Sequence, residues 1–369
     1  GTGFFAEIAA MPAVQLPPVS GWRDVAAVFY TSGTASKPKG VVCSTAELYG
    51  NVEPIADAFG MGPEDRILDY RSFNWMSAQV LSALAPLARG ATLVLARKFS
   101  ASHFFDWVRD NEVTIAVGNP TVFNMLLSRP AGETRIEAPK LRFITSSSAP
   151  LMVEQWKRFE EQYGIAIAQG YGTSETGWIA GSNERTRRFG SVGRPLPYHR
   201  LSVVDGEGRR LPPGETGAIE LGGDPAVEYR YIADDGSIRT NARGRIPTGD
   251  LGALDSDGYL YVTGRAKDLI IRGGANISPV EIDNVALKLA AVAEAATVGV
   301  PDAIYGEEVV LYVRSQPGAQ LTEQMVLAHC RQYLPHAKMP KQILFRDSLP
   351  KTERGKMDRK ALAAEWQSD

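Results

Sequence analysis

Tyr30-Thr31-Ser32-Gly33-Thr34-Ala35-Ser36-Lys37-Pro38-Lys39-Gly40 is the stretch on which the reading of this chain turns. It gathers small hydroxyl residues, two glycines and two lysines into one turn-forming segment. The apolar run Val25-Ala26-Ala27-Val28-Phe29-Tyr30 ahead of it predicts a buried strand, and Gly33, Pro38 and Gly40 prevent its continuation as helix or sheet. Backbone N–H groups and hydroxyls of such a loop converge on one concavity, a nest that binds anions through fixed dipoles, with Lys39 adding a mobile positive charge. The pattern differs from G-x-x-x-x-G-K-[ST], so it is not the Walker loop. Standing alone, it would read as a solvated Gly/Ser/Lys turn.

Four later segments remove that ambiguity. They are Gly170-Tyr171-Gly172-Thr173-Ser174-Glu175-Thr176, Thr248-Gly249-Asp250, Gly264-Arg265-Ala266-Lys267-Asp268 and Pro350-Lys351-Thr352-Glu353-Arg354-Gly355-Lys356. In this order the five motifs resemble those of the adenylate-forming (ANL) superfamily, and most closely its acyl-CoA synthetases, the AMP-dependent acid-CoA ligases. The resemblance runs from about Val25 to Arg359.

The resemblance implies a reaction in which a carboxylate attacks the α-phosphorus of ATP, giving an acyl-adenylate and pyrophosphate, followed by transfer of the acyl group to the thiol of coenzyme A. With two anionic reactants, charge neutralisation and alignment dominate the first step. Lys356 is implied as the lysine bridging carboxylate and α-phosphate, a task suited to a compact ammonium on a long stem. Glu175 is implied as the ligand of Mg2+, and Thr34 as a catalytic member of the phosphate loop beside Thr31, Ser32, Gly33 and Lys39. Tyr171 is expected against the adenine, with Gly172, Thr173 and Ser174 nearby. Asp250 is expected to accept the ribose hydroxyls, with Arg265 contacting ribose and phosphate. Ser148 and Ala149 belong to a segment beside the adenine and acyl pocket.

Lys267 aligns with the hinge about which a C-terminal domain turns between the half-reactions. Gly273 and Gly274 would line the tunnel for the thiol arm, although paired glycines also suit an ordinary hairpin. Asn74, Trp75, Asn119, Ser147 and Trp178 are the candidate walls of the acyl pocket; both tryptophans are equally readable as core aromatics. Asn74 stands where an amino-acid-activating relative carries aspartate. A neutral amide cannot balance a buried α-ammonium, so free amino acids are disfavoured as substrates.

Composition and organisation bound the rest. The chain has 369 residues, long enough for more than one structural unit. With 44% hydrophobic residues, 22% charged residues and a net charge of -2, it offers no electrostatic case for nucleic acid or an anionic membrane. Cys43 and Cys330 have no metal-ligand spacing, and His103, His199, His329 and His336 are dispersed. No apolar run predicts a membrane span, and a cytoplasmic enzyme with reduced thiols is expected. The resemblance leaves room for a homodimer.

The expected class is α/β. Region 1–189 holds the phosphate loop and acyl pocket on a mainly parallel sheet flanked by helices. Region 190–266 is a β-rich subdomain, read as a small antiparallel barrel or sheet. Region 267–369 is a mobile C-terminal α+β lid, opened by a capping box at Ser278-Pro279-Val280-Glu281. Only Gly1 to Asp24 precede the phosphate loop, so the N-terminal part of the family fold is expected to be truncated. Two other functions stay open: loading of a separate carrier protein, and an inactive nucleotide-binding module.

Overall fold

The computed structural model describes residues 6–7, 9–12, 21–30, 39–129, 138–198, 200–222, 229–241, 244–352 and 356–366. Thr31, Ser32, Gly33 and Thr34 lie outside the described residues, as does His199.

The central feature is a seven-stranded sheet in the order Thr92–Leu95, Arg66–Asp69, Ile115–Ala116, Phe143–Ser146, Ala166–Thr173, Gly177–Gly181, Arg194–Pro195. The first five strands are parallel; the last two are antiparallel additions. Helices Phe104–Asp110, Pro120–Leu127 and Val153–Tyr163 alternate with the parallel strands, as the βαβ rhythm of the sequence predicts. Successive strand residues point to opposite faces, so Ile67, Ile115, Phe143 and Ala168 join one core while Leu68, Ala116, Ile144 and Ile167 join another. A sheet buried on both faces demands continuous apolar runs, which these strands supply. Each large side chain removed from water contributes roughly 1.5–3 kcal/mol.

The expectation of a buried strand before the phosphate loop is corrected. Val25–Tyr30 is a strand, paired antiparallel with Gly40–Ser44, but only Phe29 is buried among its residues. The hairpin Tyr229–Ile232 and Ile238–Asn241 joins the other edge of Gly40–Ser44. Strands Arg200–Val204, Gly217–Gly222, Arg245–Leu254 and Leu260–Arg265 form a separate antiparallel sheet, with the first and last at its edges. Among the described residues it is open, and the barrel reading gives way to the sheet.

The C-terminal part is built on the order Ala275–Ile277, Ile270–Arg272, Gly306–Ser315, Val292–Asp302, with Gln342–Phe345 running parallel to Gly306–Ser315. Val309, Leu311 and Val313 face helices Pro279–Leu287 and Glu323–Cys330. Val310 and Tyr312 face Arg359–Trp366 through Leu362. This part meets the larger one where the Val153 N–H donates to Asn284 Oδ1 at 3.4 Å and Met152 packs on the C-terminal core. Ser278 does not close a capping box: its hydroxyl donates to the Thr263 carbonyl at 2.6 Å, and Glu281 pairs with Lys338 at 2.7 Å. A capping box does form at Ser44 and Glu47, at the start of helix Thr45–Gly50. No described helix is long and apolar enough to cross a membrane.

Candidate active site

A cleft of about 900 Å3 runs between the carboxyl end of the central sheet and the C-terminal part. Position at the carboxyl end follows from topology, since parallel strands deliver their loops to that edge.

The wall nearest the antiparallel sheet carries a hydrogen-bonded cluster. Strand Ala166–Thr173 brings Tyr171 to the rim, and its hydroxyl donates to Asp250 Oδ2 at 2.6 Å. Arg265 Nε holds the other carboxylate oxygen at 2.9 Å, because Asp250 and Arg265 are cross-strand partners. The Asp250 N–H in turn donates to Thr248 Oγ1 at 3.1 Å. Asp250 is 5% exposed, so a charge-assisted pair with Arg265 keeps its carboxylate from being buried alone. Each oxygen has one lone pair left for a ligand hydroxyl. Burial, reinforced by the neighbouring Asp250 charge, pushes the Tyr171 phenol well above its ordinary range. Tyr171 therefore stays a donor.

The turn beyond Tyr171 is fixed by its contacts. Thr173 and Thr176 share a hydroxyl hydrogen bond of 2.9 Å, and Thr173, Ser174 and Glu175 face the cleft. Gly177 returns the chain with φ of 72°, and a Cβ there would stand 2.1 Å from Asn51 Oδ1. That oxygen accepts from the Trp178 N–H and from the Tyr198 hydroxyl, both at 2.7 Å.

The opposite end of the cleft is lined by Asn74, Trp75, Ser147, Ser148, Ala149 and Trp178. Asn74 and Trp75 sit on a loop tied down by Asp69, at the end of its strand. The Asp69 carboxylate accepts from the Tyr70 N–H at 2.7 Å, the Arg71 N–H at 2.8 Å, the Arg71 guanidinium and the Ser82 hydroxyl. Burial pushes this carboxyl up, but Arg71 and Ser82 outweigh it and hold it below the usual carboxylate range. Ser148 adopts a left-handed φ of 74°, which turns the chain out of strand Phe143–Ser146. The Ser147 hydroxyl and the Trp178 indole nitrogen are buried and have no partner among the described residues. A buried polar group left so costs about 1–3 kcal/mol.

From the C-terminal side come Lys267, in the 3-10 turn Ala266–Asp268, and Lys356. Lys356 is presented by a tight turn: the Thr352 N–H donates to the Lys356 carbonyl at 2.8 Å, and the Lys356 N–H donates to Thr352 Oγ1 at 3.2 Å. Just beyond it, Arg359 donates to buried Asp283 at 2.6 Å and to the Thr297 carbonyl at 2.8 Å. Asp283 also accepts from the Thr297 N–H and hydroxyl, both at 2.7 Å. This network, together with the Lys351–Glu294 pair at 3.2 Å, anchors the Lys356 turn to the domain core.

The structure thus brings Tyr171, Gly172, Thr173, Ser174, Glu175, Asp250, Arg265, Lys267 and Lys356 to one cleft. Four residues expected at the site lie outside this lining. Asn119 caps helix Pro120–Leu127, accepting from the Val122 N–H at 3.0 Å, while its neighbours Pro120 and Thr121 line the cleft. Gly273 and Gly274 form the hairpin turn between Ile270–Arg272 and Ala275–Ile277, away from the cleft lining. Lys39 lies over the Tyr231 ring at 5.8 Å and is likewise outside the lining. Asp283 and Arg359 escaped sequence reading, because their pairing spans 76 positions.

Comparison with known proteins agrees with this geometry. The model of the AMP-binding enzyme family matches residues 6–230, and that of the AMP-binding enzyme C-terminal domain matches residues 281–356. The chain is 38% identical over 339 residues to a sulfoacetate–CoA ligase of Cupriavidus necator, covering 90% of this chain and 66% of that protein. It is 34% identical over 347 residues to an oxalate–CoA ligase of Arabidopsis thaliana, covering 92% of this chain and 67% of the relative. The chain therefore spans about two thirds of the length of the curated relatives it matches. Among solved structures, ATP-bound MatB from Rhodopseudomonas palustris superposes with a TM-score of 0.84 at 30% identity, covering 94% of this chain and 69% of that one. An anthranilate CoA ligase in complex with anthranoyl-AMP gives 0.85 at 25% identity, covering 98% and 71%.

Proposed function

We propose that this chain, which belongs to the AMP-binding enzyme family, is the adenylating and thioester-forming part of an ATP-dependent carboxylic acid–CoA ligase. The observation that carries the reading is the convergence of Glu175, Asp250 and Arg265 from the larger part with Lys356 from the C-terminal part on one cleft. Two anionic reactants cannot be brought together in a partly desolvated site without positive charge, and Lys356 is the group whose stem lets it follow both.

In this reading Tyr171 packs on the adenine, and its bond to Asp250 fixes the carboxylate that receives the ribose hydroxyls. Arg265 holds that carboxylate from the other side and stands toward the phosphates. Lys356 aligns the acid with the α-phosphorus, so the attacking oxygen and the leaving pyrophosphate stay in line. For the second half-reaction the C-terminal part turns about Lys267, removing Lys356 and admitting the thiol of CoA.

Magnesium fits the donors present. Among the described residues no group of three His, Cys, Asp or Glu side chains forms an ion cage. An ion that keeps waters and bridges substrate phosphates needs only one or two carboxylates, and Glu175 provides one at the cleft. Bound there, it would neutralise phosphate charge.

The relatives named for sulfoacetate, oxalate and indoleacetate support a small or aryl acid as substrate. The test is a pyrophosphate-release screen across carboxylic acids, followed by comparison of CoA with a phosphopantetheinylated carrier protein as acceptor. Acid-dependent pyrophosphate release with CoA thioester as product is expected. Thioester on the carrier alone would reassign the acceptor, and absence of ATP binding by calorimetry would favour an inactive module.

A further inference from the structure

Helix Pro279–Leu287 of the C-terminal part sends two side chains across to the larger part. Ser278 is its N-cap residue, followed by proline at the first helical position, yet its hydroxyl makes no cap bond and donates to the Thr263 carbonyl at 2.6 Å. Further along the helix, Asn284 Nδ2 donates to the Val280 carbonyl at 2.9 Å. That bond orients the amide, so that Oδ1 faces the Val153 N–H, 3.4 Å away.

Each contact completes something the larger part lacks. Helix Val153–Tyr163 starts after Met152, whose thioether side chain makes no cap bond, and the Val153 N–H is one of the first-turn donors that a helix cannot satisfy itself. Asn284 supplies the acceptor from the other part, while Met152 packs on the C-terminal core. At Thr263 the ladder with Arg245–Leu254 shifts register: Gly264 pairs with Leu251 and Val262 with Gly252, leaving Thr263 as the bulged residue without a cross-strand partner. Gly264 admits the serine, since a Cβ there would stand 2.9 Å from the Ser278 hydroxyl oxygen.

Thr263 and Val153 precede Lys267 in the chain, whereas Ser278 and Asn284 follow it. A turn about Lys267 therefore breaks both contacts together. The Asp283–Arg359 and Lys351–Glu294 pairs lie wholly within the C-terminal part and travel with it.

We propose that Ser278 and Asn284 are positioning residues that hold the C-terminal part in the orientation placing Lys356 in the cleft, and that their two bonds are given up when the thiol step begins. This deepens the ligase reading and rests on it. Neither side chain acts on the reacting atoms; each biases the equilibrium between two orientations by the strength of its bond in one of them.

The experiment measures both half-reactions on the chain as it stands. One is ATP–pyrophosphate exchange with sulfoacetate, oxalate and indoleacetate in turn. The other is thioester formation from the supplied adenylate of the acid that exchanges, with CoA or, where that proves the acceptor, a phosphopantetheinylated carrier protein. Ser278→Ala and Asn284→Ala should each lower the ratio of exchange to thioester formation by roughly threefold to tenfold, and the double variant by more than either. The KM for ATP should stay within about twofold of the parent. A residue that only stabilises the fold would depress both half-reactions alike and leave the ratio unmoved. An unchanged or raised ratio in the double variant overturns the assignment while leaving the ligase reading intact; should that variant not fold, the ratio in Ser278→Ala decides in the same way. Absence of both half-reactions in the unsubstituted protein with all three acids overturns the ligase reading and this proposal with it.

Discussion

The Tyr171 hydroxyl lies 2.6 Å from Asp250 Oδ2 and donates to it, joining residues 79 positions apart at the rim of the cleft. Hydrogen bonds to charged groups contribute roughly 1.5–3 kcal/mol. Tyr171→Phe should therefore weaken ATP binding by about tenfold through a loosened Asp250, a factor worth about 1.4 kcal/mol. Asp250→Ala should weaken it further. Isothermal titration with ATP checks both; unchanged affinity in Asp250→Ala would remove this cluster from the nucleotide site.

Much of the fold was legible because it depends on local chemistry. Short apolar runs such as Phe143–Ser146, alternating with helical segments, are what a sheet buried on both faces requires. The Gly-Tyr-Gly-Thr run that ends strand Ala166–Thr173 is likewise written in neighbouring residues. What escaped depends on distant partners. Ser278 has every local mark of a capping residue, yet Thr263 supplies a better-placed acceptor. Asn119 looks like a pocket wall until Val122 claims its side chain. The run from Val25 to Tyr30 has strand-forming residues, but burial depends on what packs against it, which periodicity does not encode.

Asp283 and Arg359 anchor the turn that carries Lys356. Breaking a buried ion pair by deleting one member leaves an uncompensated charge, at a cost of about 3–5 kcal/mol. Asp283→Ala should lower the thermal midpoint markedly, and the Asp283→Ala, Arg359→Ala double variant should lose less than the sum of the singles. Differential scanning calorimetry measures this. Strict additivity would mean that the pair is not coupled.

Asp69 gives the fold an acid sensitivity of known sign. Its folded-state carboxyl lies below the usual range because Arg71 and Ser82 outweigh the cost of burial. The stability it contributes is fully present above the unfolded value of about 3.9 and is lost as pH falls through the lower folded value. Asp69→Asn should be less stable than the parent at pH 6, and the gap should narrow on acidification below about pH 4. A gap independent of pH would show that Asp69 does not act as a charged hub.

Cys43 and Cys330 are both free and buried. Burial, aided by Glu47, pushes the Cys43 thiol up to about 12, and burial alone pushes Cys330 up to about 11. With so little thiolate, neither should react with a disulfide reagent at pH 8 in the native state, and both should react in urea. Rapid labelling of the native protein would contradict the burial of these side chains.

In the proposed adenylation Lys356 must reach the reacting carboxylate and phosphate, and ATP–pyrophosphate exchange of Lys356→Ala tests that directly. The prediction is loss of at least about a thousandfold in exchange, the scale of a single preorganised charge, with CoA thioester still formed from supplied acyl-adenylate. Exchange at the parent rate would contradict it.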